Sequence, residues 1–107
     1  MDIQINTSNA IDGGGDFATT MEDMVRTRLS RFSDRLTRIE VHFSDESTGR
    51  QTENDKRCSV EARLAGGDPV TVTGNGSTLD MAATGAMSKM ISALERHIGR
   101  SSDRKGH

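Results

Sequence analysis

Residues 38–44 read Arg38-Ile39-Glu40-Val41-His42-Phe43-Ser44. Apolar and polar side chains alternate without a break, which is the two-residue period of a strand with one face buried and one wet. The same period returns in Arg57-Cys58-Ser59-Val60-Glu61-Ala62-Arg63-Leu64 and, more briefly, in Val70-Thr71-Val72-Thr73. Between the last two stands Gly66-Gly67-Asp68-Pro69, a turn signal. Short connections of this kind make the three strands an antiparallel meander. At the N-terminus Met1, Ile3 and Ile5 alternate with Asp2, Gln4 and Asn6, a fourth short strand.

Two segments carry a helical period instead. Met21, Val25, Leu29 and Phe32 recur at steps of four, four and three, with Thr19 or Thr20 placed to cap the start. Leu79, Ala83, Met87, Met90, Leu94 and Ile98 form a second stripe, opened by Ser77 with Asp80 three residues on and closed at Gly99. Gly85 leaves room there for close approach to a sheet. Gly74-Asn75-Gly76 reads as a break before this helix, and residues 8–16 and 45–55 read as polar loops.

The predicted order is β-α-β-β-β-α, an α+β two-layer sandwich. Each helix has one apolar stripe, so both must cover the same face of a four-stranded sheet. The other face keeps Arg38, Glu40, His42, Arg57, Ser59, Glu61, Arg63, Thr71 and Thr73 in water. With 107 residues and 32% apolar composition there is material for one core. One domain is expected over residues 1–100, followed by a polar, basic, disordered tail over 101–107.

Composition excludes several functions. No apolar run reaches the length of a membrane span, and the N-terminus shows no basic-then-apolar leader pattern, so a cytoplasmic protein is expected. The single cysteine rules out an internal disulfide framework. Cys58 and His42 are the one nucleophile–base pair to consider, and alternation sets them on opposite sheet faces. The three histidines and Cys58 lack zinc-ligand spacing, and the acids near residues 45–55 lack the spacing of a calcium loop. No enzyme, cofactor, metal or small-molecule substrate is implied.

The formal charge of −2 conceals blocks. Residues 1–25 hold five acids and no base, 26–38 a local +4, 39–55 a local −4, and 89–107 a local +3. Arginine dominates the basic blocks, and its planar fork suits phosphate. Solvated helix flanks are the plain alternative. With no Trp or Tyr and Phe43 turned to the core, base stacking on the sheet is not available. What remains is backbone recognition by helix-borne arginine and lysine.

The run Ser33-Asp34-Arg35-Leu36-Thr37-Arg38-Ile39-Glu40-Val41-His42-Phe43-Ser44-Asp45-Glu46, then Asp55-Lys56-Arg57-Cys58, resembles the ribosome hibernation promoting factor family. That family is also called protein Y, ribosome-associated inhibitor or sigma-54 modulation protein. The resemblance continues through Glu61-Ala62-Arg63-Leu64-Ala65-Gly66-Gly67, Thr78-Leu79, Lys89-Met90 and Leu94, from Ile3 to about Arg100. It implies a double-stranded-RNA-binding-like fold and binding to the small ribosomal subunit, in the channel of messenger and transfer RNA, under stress. It carries an rRNA-binding role onto Arg28, Arg31, Arg35, Lys89 and Arg96. Arg38, Lys56, Arg57 and Arg100 are secondary candidates. Asp80 and Ser92 depart from the family's pattern, where an aromatic and a base are common. The chain ends after the second helix, so the short form, without a C-terminal dimerisation domain, is expected. The alternative is a protein–protein module of the same fold that has lost strong ribosome binding.

Overall fold

The structure is a computed structural model and describes residues 1–7, 15–45 and 56–105. The elements run β1 (Asp2–Thr7), α1 (Gly15–Arg28), a 3-10 turn (Ser30–Phe32), β2 (Leu36–Asp45), β3 (Lys56–Leu64), β4 (Val70–Gly76) and α2 (Leu79–Lys105). They make one four-stranded sheet in the order β1-β2-β3-β4. β1 runs parallel to β2, with Ile3 opposite Ile39 and Ile5 opposite Val41. A parallel neighbour requires a crossover, and α1 supplies it. The remaining pairs are antiparallel, as the meander predicts.

The core lies on one face. Ile39, Val41 and Phe43 of β2 stand opposite Ala62, Val60 and Cys58 of β3, and all six are buried. Met21, Val25 and Leu29 close over them from α1, and Ala83, Ala86, Met87, Met90 and Leu94 from α2. Phe17 meets Phe43 edge-on, centroids 5.1 Å apart, and ties α1 to the middle of the sheet. Both helices therefore share the face that the alternation assigns to the core.

The boundaries differ from the sequence reading at both ends of α1, the start of β2, the end of β4 and both ends of α2. The first helix begins at Gly15, upstream of Thr19 and Thr20, and stops at Arg28. Phe32 completes its buried stripe from the 3-10 turn, so Arg31 and Arg35 do not ride on α1. β2 starts at Leu36, three residues before Ile39, yet both are buried. A register shift between Leu36 and Arg38 resets the alternation, and the Thr37 hydroxyl closes it with a 3.2 Å hydrogen bond to the Arg63 carbonyl.

β4 continues through Gly74-Asn75-Gly76, where a break is predicted. The glycines are there because α2 lies directly on the strand. A Cβ on Gly74 would collide with the backbone of Ala82 and Ala86, and one on Gly76 would come within 2.7 Å of Met81 Cβ. A Cβ on Gly85, the residue expected to permit this approach, would meet only the Cα of Gly74, at 4.0 Å. The α2 cap is Thr78 and not Ser77: its hydroxyl accepts from the Met81 N–H at 3.1 Å. Finally, α2 passes through Gly99 to Lys105, into the stretch expected to be a frayed tail. Of the predicted loops over 8–16 and 45–55, residues 8–14 and 46–55 lie outside the described residues, whereas Gly15 and Asp16 belong to α1 and Asp45 to β2.

Gly74→Ala is expected to cost about 3 kcal/mol, because helix and strand must part to admit one methyl. Gly85→Ala is expected to be neutral or to stabilise by up to about 1 kcal/mol, since alanine is the better helix former and its Cβ meets ordinary contacts. Urea unfolding midpoints of the two variants check the contrast.

Candidate nucleic-acid interface

The two surfaces of the molecule carry charge differently. On the open sheet face Arg38 stands opposite Arg63 and Glu40 opposite Glu61. Like charges face each other between β2 and β3, and each arginine finds its acids along its own strand, diagonally across, or, for Arg38, directly opposite on β1. Arg38 Nε is 3.5 Å from Glu40, and its other nitrogens reach Asp2 at 3.9 Å and the amide oxygen of Gln4. Arg63 is 3.7 Å from both Glu40 and Glu61. Each exposed pair contributes little to stability. Together they offset the charges of Arg38 and Arg63. Arg38, a secondary candidate, is engaged there. Arg57 stands on the same face opposite Ser44, and Lys56 opposite Asp45 at the start of β3.

The helix layer is different. Arg28 ends α1, Arg31 sits in the 3-10 turn, and Arg35 precedes β2; all three are exposed. Among the described residues no acid pairs with Arg28, Arg35 or Arg96. Arg31 is the exception: it forms an ion pair with Glu95 of α2, and its guanidinium lies 4.7 Å above the Phe32 ring. Arg31 and Arg35 line one groove with Phe32, Asp34, Glu95 and Ile98.

Lys89 and Arg96, two turns apart on α2, line a second groove with Val72, Ser88 and Ser92. The Lys89 ammonium donates to the Thr73 carbonyl of β4 at 2.7 Å. It has three donors, so two remain for a ligand. The structure thus brings Arg31 to Arg35 and Lys89 to Arg96, and sets the two pairs in different grooves. Arg28 lines neither groove. Arg100 lies on α2, outside the residues whose side chains are described.

Glu95 is the residue that sequence reasoning missed. Its partner Arg31 is 64 residues away, and no local pattern announces a pair at that separation. His97 also escaped notice, because its neighbours come from the β3–β4 turn.

The architecture belongs to a class of small α+β domains with a known set of relatives. It matches a ribosomal subunit interface protein from Coxiella burnetii at TM-score 0.70 and 15% identity, over 92% of this chain and 99% of that one. It matches the N-terminal domain of protein Y from Thermus thermophilus at TM-score 0.71 and 20% identity, over 91% of this chain and 99% of that one. No curated protein matches. Residues 7–102 match the family described as sigma 54 modulation protein / S30EA ribosomal protein, and the chain belongs to that family of ribosome-associated modulation factors.

The conceivable nucleophile stands apart from these grooves. Cys58 is fully buried on the core side of β3, whereas His42 is exposed on the open face. Burial pushes the Cys58 thiol from the ordinary 9.0 up to about 12. Below pH 9 the thiol is neutral in folded and unfolded chains alike, and its contribution does not vary with pH. Between pH 9 and about 12 only the unfolded chain ionises, so stability falls as pH rises. The stability difference between wild type and Cys58→Ala should shrink by about 2 kcal/mol from pH 8 to pH 10.5. Denaturant unfolding of both proteins at the two pH values checks it.

Proposed function

We propose that this protein binds the small ribosomal subunit through rRNA phosphates, in the channel for messenger and transfer RNA, and holds ribosomes idle under stress. Its work is then cytoplasmic, and no helix among the described residues is long and apolar enough to cross a membrane. Family membership supports a ribosomal partner. The observation that carries the choice of surface is the contrast in charge pairing. On the sheet face Arg38 and Arg63 are spent on that face's own acids, while Arg28, Arg35 and Arg96 on the helix layer have no acidic partner among the described residues. Guanidinium groups left in this state suit a ligand made of regularly spaced phosphates.

A second reading is a protein-binding module that kept the fold. The observation in its favour is Glu95, which occupies Arg31, in a chain whose formal charge is −2. The two readings differ in salt dependence, because each phosphate contact releases condensed counterions.

Co-sedimentation of the purified protein with small subunits tests the proposal. Five phosphate contacts, from Arg28, Arg31, Arg35, Lys89 and Arg96, give a log–log salt slope on the order of −3 to −5. Arg35→Ala and Arg96→Ala should each flatten it by about one unit, and His42→Ala should leave it alone. Glu95→Gln frees Arg31 and should tighten binding by about two- to fivefold. Protein that stays at the top of the gradient even at low salt, or binding that ignores salt, overturns the proposal.

A further inference from the structure

We propose that the notch between the β3–β4 turn and α2 is a binding site for a single phosphate group, held by Arg35, His97 and the backbone N–H of Gly66. It rests on the ribosome-binding reading only for the source of the phosphate, an RNA backbone or a phosphate-bearing small molecule. Neither His97 nor the turn belongs to the basic stripes that the sequence displays.

The notch is more enclosed than either groove and opens beside the first of them, with Arg35 and Ile98 common to both. Its floor is Leu64 and Ile98, half-buried apolar side chains, and its polar walls are Arg35 and His97. No carboxylate lines it. Asp34 and Glu95 line the neighbouring groove, and Asp68 follows Gly67 in the turn. An arginine without an acidic partner and an imidazole thus converge on one recess, an arrangement that an anion completes. A guanidinium offers a phosphate two parallel N–H donors, and the imidazole adds a third.

The turn leaves one backbone donor beside them. Gly66 takes φ of +77° in a turn that the Gly67 N–H closes on the Leu64 carbonyl at 3.4 Å, so the Gly66 N–H is the backbone donor left to an anion. The Ala65 N–H donates to the Arg35 carbonyl at 2.9 Å, so turn and arginine are fixed to each other before any ligand arrives. Gly67 keeps the recess open, since a Cβ there would stand 3.8 Å from His97 Nε2. Its nearest other contact would be Leu64 Cβ at 3.7 Å, ordinary packing, so a side chain at Gly67 fills the notch without disturbing the fold.

The test is an amide NMR titration of the whole chain with inorganic phosphate, against sodium chloride at equal ionic strength. Saturable shifts are expected at Gly66, Gly67 and His97, and they should vanish in His97→Ala and in Gly67→Asp. Shifts that are absent, or spread evenly over Arg28, Lys89 and Arg96, overturn the site. A second arm measures ribosome co-sedimentation of His97→Ala. Binding weakened by about two- to tenfold, one charged hydrogen bond at a wet site, assigns the phosphate to RNA. Unchanged ribosome binding beside a positive titration supports the site with a free phosphate compound as its ligand. If the wild type does not bind ribosomes at all, the functional proposal fails and the phosphate titration still decides the notch.

Discussion

The ladder formed by Ile39 with Ala62, Val41 with Val60 and Phe43 with Cys58 is the constraint on which the molecule is built. With apolar residues at 32% of the chain, one sheet face can be covered and the other cannot. Both helices must therefore press on the same ladder, and small residues decide how closely they do so. Ala62 and Cys58 leave depth opposite β2, and Gly74, Ala82 and Ala86 let α2 lie against β4 almost backbone to backbone. The one-sided core then divides the polar residues into two populations. Those on the sheet face are held in a fixed grid by strand register and neutralise one another. Those on the helix layer stand on separate elements: Arg26 and Arg31 pair with acids and Lys89 with a backbone carbonyl, while Arg28, Arg35 and Arg96 are left facing water.

The middle of the sheet was legible in the sequence because β2 and β3 are half-buried strands, and alternation is a direct image of that state. The apolar stripes of both helices were legible for the same reason. The errors fall where a backbone event intervenes. The bulge at Thr37 places Leu36 and Ile39 on one face although they are three residues apart, so no periodic reading could join them. Gly74-Asn75-Gly76 looks like punctuation because glycine usually marks a turn, and here its missing side chain serves a helix–strand contact. The first helix runs back to Gly15 through residues with weak helical preference, which the Phe17–Phe43 contact holds in place.

The surface was legible in part. Basic blocks are visible as composition, and the exposure of Arg28, Arg31, Arg35, Lys89 and Arg96 agrees with them. Pairing is not visible. Whether an arginine is available depends on acids brought by distant segments, as Glu95 is brought to Arg31 and Glu40 to Arg63. The sequence shows five helix-side cations as one set, whereas the structure sorts them by neighbour and by flank.

The contact between Lys89 and the Thr73 carbonyl has a meaning for the chain's own solubility. β4 ends the sheet, and a terminal strand is a template on which another strand can add. Lys89 reaches from α2 to that strand and sets a solvated positive charge against its backbone. A second copy approaching along this edge must displace the ammonium and bring up a lysine of its own, so the repulsion doubles where strand pairing would begin. The side chain proposed to meet RNA phosphate thus also stands at the edge where a further strand would add.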